Sequence, residues 1–247
     1  MFRMFAPAAL VAALALPAAA LDLSNMTEEE RANFREEIRA YLLENPQIIM
    51  EAVAVLEERQ QAEQAQADLN LVANNTEALF NDGYSYVGGN PDGDITMVEF
   101  LDYRCGFCKR AHTEVAKMLE TDGNIRLIVK EFPILGEQSL LASRFAVATK
   151  QVAGDEAYKG LTDALMTMTG DVTLRSLRRM ASTFGLDADA IEARMDSDEV
   201  TEEIAQTHAL AQRLQITGTP TFVLQDELLR GFLPYDEMMA LVDEKRR

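Results

Sequence analysis

The sequence predicts an α/β protein in which a block of helices interrupts one sheet. Two observations carry this. A strand–helix–strand run, Ile95–Asp102, Lys109–Glu120 and Ile125–Phe132, implies a parallel strand pair with a crossover helix. Residues 137–214 then read as helix after helix, before two further short strands and a final helix.

The first twenty residues read as a targeting segment. Arg3 gives a positive start, Ala6 to Leu16 form an apolar stretch, and Ala18-Ala19-Ala20 supplies the small-residue cleavage pattern. The stretch is short of the roughly 20 residues a membrane span needs. The reading implies export, with a mature chain starting near Leu21 and about 225 residues long, enough for a core that needs no disulfide staple.

The formal charge of −18 excludes nucleic acid and anionic membrane surfaces as natural partners. Exported proteins commonly use cysteines as paired staples. This chain has two cysteines in all, Cys105 and Cys108, within one Cys-Gly-Phe-Cys tetrapeptide.

Residues 21–75 are expected to form a helical region. Thr27 and Glu30 make a capping box, and Phe34, Ile38, Tyr41 and Leu42 mark the apolar face of a first helix. Asn45-Pro46 is a stop and a restart. Ile49, Val53 and Leu56 continue the apolar stripe before the helix turns polar over Gln60 to Asp68. Such a stripe needs a partner, either the rest of the molecule or another copy of the chain.

Asp82-Gly83 and the run Gly88-Gly89-Asn90-Pro91-Asp92-Gly93 read as turns. Gly154, Gly170 and Gly185 punctuate the helical block, with Asp171 and Asp187 as caps just beyond two of them. Thr219–Leu224 and Leu228–Gly231 read as strands about a tight turn at Asp226-Glu227, and Pro234 opens the last helix.

The chemistry centres on the cysteine pair. A thiol at a strand-to-helix junction meets unpaired N–H groups and the helix dipole, which stabilise a thiolate, so Cys105 and Cys108 read as a thiol–disulfide exchange site. Arg104, Lys109 and Arg110 crowd the pair; they read equally as further support for the thiolate or as ordinary surface charges.

Glu99 lies inside an apolar strand, and alternation puts residues 99, 101, 103 and 105 on one side. It is either a buried acid beneath the cysteines, with a raised pKa suited to relaying the Cys108 proton, or an exposed edge residue. Pro220, in Gly218-Thr219-Pro220, is either a plain strand terminator or a cis proline.

A second class of function is copper handling: Cys105, Cys108 and His112 share one helix face, and two thiolates suit Cu(I). A four-ligand zinc site is hard to complete, since His208 is the other histidine of two.

The segment from Val98 to Arg110, Val-Glu-Phe-Leu-Asp-Tyr-Arg-Cys-Gly-Phe-Cys-Lys-Arg, resembles the active-site strand and helix of the DsbA-like branch of the thioredoxin superfamily. Lys130-Glu-Phe-Pro-Ile-Leu-Gly and Gly218-Thr-Pro-Thr-Phe-Val-Leu resemble that family's next strand and its cis-proline loop, in the same order. The resemblance covers residues 76–247 and implies a thioredoxin fold with a helical insertion at about 137–214.

It further implies that Cys105 is the nucleophile, Cys108 the resolving thiol, Thr219-Pro220 the loop facing both, and Glu99 the family's buried acid. The helices of residues 21–75 resemble those of the ScsC (suppressor of copper sensitivity C) subgroup, where they serve oligomerisation. The implied protein is a periplasmic thiol–disulfide oxidoreductase, isomerase or oxidase. It would have no cofactor beyond the Cys105–Cys108 disulfide, protein thiols as substrates, a membrane redox partner and a homo-oligomeric state.

The sequence departs from DsbA in having Gly-Phe between the cysteines instead of Pro-His, and Thr219 instead of Val before the proline. Both changes resemble DsbC-like isomerases. They imply a pair less oxidising than DsbA, between the roughly −120 mV of that protein and the roughly −270 mV of thioredoxin.

Overall fold

The computed structural model describes residues 25–247; the expected targeting segment lies outside them. The chain divides into two compact units, one ending at Arg59 and the other running from Gln60 to Arg247.

In the first unit the capping box forms as expected. The Thr27 hydroxyl accepts from the Glu30 N–H at 3.3 Å, and the Glu30 carboxylate accepts from the Thr27 N–H at 2.8 Å. Helix α1 (Glu28–Glu44) follows, and Asn45-Pro46 breaks it from α2 (Gln47–Ala73). No residue of α1 is buried, and Phe34, Ile38, Tyr41, Ile49, Val53 and Leu56 are all exposed.

The second unit begins with the rest of α2, followed by α3 (Thr76–Phe80), β1 (Tyr86–Gly89), β2 (Ile95–Leu101), α4 (Gly106–Asp122) and β3 (Ile125–Glu131). The helical block is α5 (Glu137–Ala153), α6 (Asp155–Thr167), α7 (Leu174–Thr183), α8 (Ala188–Met195) and α9 (Asp198–Arg213). Strands β4 (Thr221–Leu224) and β5 (Glu227–Arg230) and helix α10 (Tyr235–Lys245) complete it.

The five strands form one sheet in the order β1-β3-β2-β4-β5. β2 and β3 are parallel, joined by the α4 crossover, and every other pair is antiparallel. β2 is therefore central, hydrogen-bonded on both edges. Its alternation sorts the core: Ile95, Met97 and Leu101 pack with α4 and the helical block on one face. Val98 and Phe100 pack on the other with Val72, Leu79, Leu210 and Leu214.

β1 departs from the sequence reading, in which Gly88-Gly89 belongs to a turn. Pairing with β3, from Tyr86 opposite Val129 to Gly89 opposite Arg126, makes the segment a strand. Gly89 sits at φ +66°, where a Cβ would fall 2.3 Å from the Ile125 carbonyl oxygen, so glycine here serves close strand approach. The buried Lys130 ammonium ties the chain before β1 to the sheet, donating to the Ala78 carbonyl at 2.8 Å and pairing with Asp82. Near the end of α2, Asp68 is buried and accepts from both terminal guanidinium nitrogens of Arg230.

Candidate active site

Cys105 is the N-cap of α4, in extended conformation, and its sulfur accepts from the Cys108 N–H at 3.4 Å. A sulfur at this position satisfies one of the orphan donors of the helix start and lies at the positive end of the dipole. The Cys105 N–H donates to the Asp102 carbonyl at 3.0 Å, which fixes the turn out of β2. Both cysteines are free thiols.

The two sulfurs differ in surroundings. Cys105 keeps 7% of its surface exposed and Cys108 none. Burial pushes the Cys108 thiol well above the ordinary range; the charges of Cys105 and Glu99 add to this, while hydrogen bonds from Asp102 and Thr219 oppose it.

The Thr219–Pro220 bond is cis, and its loop reaches the thiols: the Cys105 S–H donates to the Thr219 carbonyl at 3.1 Å. Pro220 is buried and stands just before β4, and the Thr221 hydroxyl donates to the Gly218 carbonyl at 2.8 Å. The tetrapeptide and this loop, at opposite ends of the insertion, thus form one site.

Glu99 is 3% exposed, in the central strand, so the edge-exposed reading does not hold. Burial, with the charge of Glu131 adding to it, raises its pKa to about 8. Its Oε1 has no hydrogen-bond partner. A cavity of about 660 Å³ borders Glu99 and is lined also by Leu101, His112, Val115, Tyr86 and Asp163. His112 turns its Nε2 to Asp163 at 3.2 Å. Among the described residues no three histidine, cysteine or carboxylate groups are placed to hold a metal ion, so Cys105, Cys108 and His112 do not converge as one.

Two buried carboxylates at the C-terminal ends of β2 and β3 escaped the sequence reading. Asp102 is fully buried and accepts from the backbone N–H groups of Arg104 (2.7 Å), Ile134 (2.8 Å) and Leu135 (3.0 Å) and from the Ser139 hydroxyl (2.7 Å). Glu131 accepts from the hydroxyls of Tyr103 (2.5 Å) and Tyr158 (2.6 Å), and burial still lifts its pKa to about 7. The available signal was the one used for Glu99: an acid inside, or just beyond, an apolar strand.

The basic residues spread over the rim. The Arg104 guanidinium donates to the Gly170 carbonyl at 2.7 Å and the Lys109 ammonium to the Met168 carbonyl at 2.5 Å. Arg110 lies between two rings, 4.6 Å from the centroid of Phe107 and 4.8 Å from that of Phe232.

Comparison with known proteins agrees with this arrangement. The DSBA-like thioredoxin domain profile matches residues 96–243, and that of the copper resistance protein ScsC N-terminal domain matches residues 30–63. A thioredoxin-like oxidoreductase from Silicibacter pomeroyi DSS-3 is 44% identical, with 69% of this chain and 96% of that chain covered and a TM-score of 0.64. Proteus mirabilis ScsC in a transitional conformation is 26% identical over 89% of this chain and 98% of that one, with a TM-score of 0.65.

The disulfide bond formation protein D of Bacillus subtilis is 24% identical over 169 residues, which is 64% of this chain and 75% of that protein. A segment of the Na(+)/H(+) antiporter NhaA 1 of Salinispora arenicola also matches, and there the chain spans 24% of the relative's length. Among the described residues no helix is long and apolar enough to cross a membrane. With the family profile matched over most of the chain and the thiol pair seated against a cis-proline loop, this protein belongs to the DsbA-like thioredoxin-domain family, in its ScsC subgroup, and is a thiol–disulfide oxidoreductase.

Proposed function

We propose that this is a periplasmic protein disulfide isomerase in which Cys105 is the nucleophile and Cys108 the resolving thiol. The observation that carries the reading is the asymmetry of the pair: Cys105 caps α4 and keeps 7% of its surface exposed, and Cys108 is fully buried. The Cys105 thiolate attacks one sulfur of a client disulfide. A Cys105–client disulfide forms and the other client sulfur leaves as a thiolate.

Two fates follow. That thiolate, or another client thiolate, attacks elsewhere and finally displaces Cys105, which rearranges the client with no net electron transfer. Alternatively Cys108 gives up its proton and attacks Cys105 Sγ, which leaves the client reduced and the enzyme as the Cys105–Cys108 disulfide. Run backwards, the second route is oxidation. Glu99 stands in the right stretch of β2 to take and return the Cys108 proton, since a carboxyl with a pKa near 8 exchanges protons readily at neutral pH. Thr219 and Pro220 would face the client strand.

Isomerisation is favoured over simple oxidation by the first unit. Its exposed stripe of Phe34, Ile38, Ile49, Val53 and Leu56 suits association of copies, and the matching ScsC N-terminal profile supports that use. Residues 21–75 would then be the oligomerisation region and 76–247 the catalytic one, with 1–20 removed on export and a membrane reductant keeping Cys105 and Cys108 as thiols. The test joins three measurements on the mature chain: light scattering, reactivation of a scrambled-disulfide protein, and the thiol state of Cys105 and Cys108 trapped in cells by alkylation. An oligomer that reactivates the client and is held reduced is the expected result. A monomer held oxidised would make the protein an oxidase.

A further inference from the structure

The reading as a client oxidoreductase leaves open which cysteines it chooses, and the rim of the site bears on this. The chain carries 41 acidic and 23 basic residues, yet Arg104, Lys109 and Arg110 stand together around the thiol pair. Many cations elsewhere are neutralised by carboxylates, as Arg230 is by Asp68, Lys130 by Asp82 and Arg246 by Asp94 and Asp122, although Arg126 and Arg213 engage a carbonyl and an amide oxygen. The three rim cations instead engage the carbonyls of Gly170 and Met168 and the rings of Phe107 and Phe232, which orient their charge without cancelling it. Burial disfavours the Lys109 charge, and the nearby Arg104 charge adds to this, which shows that the two cations share one field.

Phe107, between the two cysteines, is 55% exposed, and Arg110 stacks on it. An exposed ring stacked by one uncancelled cation, with two more flanking the tetrapeptide, is complementary to a segment that brings carboxylates and a small apolar side chain to the sulfur. At physiological salt, charges beyond about 8 Å are largely screened, so a docked segment feels this rim more than the distant acidic surface.

We propose that Arg104, Lys109 and Arg110, which flank the thiol pair beside the exposed Phe107, select client segments with aspartate or glutamate beside the exchanging cysteine. This rests on the oxidoreductase reading above and adds the substrate class to it. The electrostatic part acts on encounter, so it appears in the rate of mixed-disulfide formation and weakens with salt.

The test uses the reduced mature chain and three disulfides: capped Glu-Cys-Glu dimer, capped Lys-Cys-Lys dimer and the neutral 2-hydroxyethyl disulfide. Each rate is normalised to that with 2-mercaptoethanol, which removes the intrinsic reactivity of the disulfide. The acidic peptide should react about tenfold faster than the basic one at low salt, as expected for two or three exposed charge pairs, and the ratio should collapse at high salt. In the Arg104→Gln/Arg110→Gln double variant the ratio should fall to within about twofold, because any change in thiolate content affects both peptides alike. Equal rates for the two peptides, a preference for the basic one, or a ratio unchanged in the variant would overturn the inference. If 2-hydroxyethyl disulfide reacts in those cases, the oxidoreductase reading survives; if none of the three reacts, both fall.

Discussion

Cys105 and Thr219 meet at 3.1 Å, thiol to carbonyl oxygen, although 114 residues separate them in the chain. The contact closes the site around the whole helical insertion. It puts a backbone acceptor on the sulfur from one side while the Cys108 N–H donates to it from the other.

The thiols should be kinetically distinct. At pH 6, Cys105 should alkylate at least about tenfold faster than Cys108, whose buried thiol is held protonated. Cys105→Ser should abolish exchange, and Cys108→Ser should accumulate client mixed disulfides visible on non-reducing gels. Equal alkylation rates by mass spectrometry would contradict the assignment.

Burial raises the Cys108 pKa, and the Thr219 hydroxyl, hydrogen-bonding toward the sulfur, offsets part of that rise. Thr219→Val keeps the shape and removes that bond, which makes the Cys108 thiolate harder to form. Resolution of a pre-formed mixed disulfide should slow roughly three- to tenfold, the worth of one such bond. Single-turnover kinetics give the answer, and an unchanged resolution step would remove Thr219 from the reaction.

Glu99 should make the fold sensitive to alkaline pH. Its folded pKa of about 8 lies above the ordinary carboxylate value, so between those limits the native state holds a proton that the unfolded chain has released. Stability therefore falls as pH rises through that window, by up to about 1.4 kcal/mol per unit, and is highest near the acidic end. Glu99→Gln should flatten the slope and raise Tm at pH 8, while slowing the Cys108 step. Urea melts of both proteins at pH 5 and pH 8 check it; parallel pH profiles would count against a buried, protonated Glu99.

Truncations should behave differently at two nearby points. A chain starting at Gln60 should be a folded monomer with a reactive Cys105 and no isomerase activity. One starting at residue 76 loses Val72 from the core and the Asp68–Arg230 ion pair. It should be less stable by about 2 kcal/mol or more, chiefly the burial of one valine. Light scattering and thermal melts distinguish the two.

Much of this was legible because local signals and the final packing agree. The Cys-Gly-Phe-Cys turn, the β2 alternation and the Thr27–Glu30 box each follow from chemistry within a few residues. What escaped depends on distant partners. Tyr86–Gly89 becomes a strand only because β3 offers an edge, and Gly88-Gly89 alone reads as a turn. The roles of Asp102 and Glu131 depend chiefly on donors 27 to 37 residues away, which no local pattern announces. For Glu99 and Pro220 the sequence posed the right alternatives, and only the sheet order and the backbone could choose between them.

Asp102 has a consequence for engineering. One carboxylate collects the outgoing turn of β2, the turn at Ile134-Leu135 and the first helix of the insertion through Ser139. The insertion is therefore not a cassette that can be lifted out or exchanged at residue 137. A graft from a relative would have to carry its own hydroxyl at position 139 and the same pair of amides; otherwise a fully buried carboxyl three residues before the reactive cysteine would lose most of its donors. Chimeras joined inside α5, beyond Ser139, keep that knot tied and leave the remaining helices free to vary.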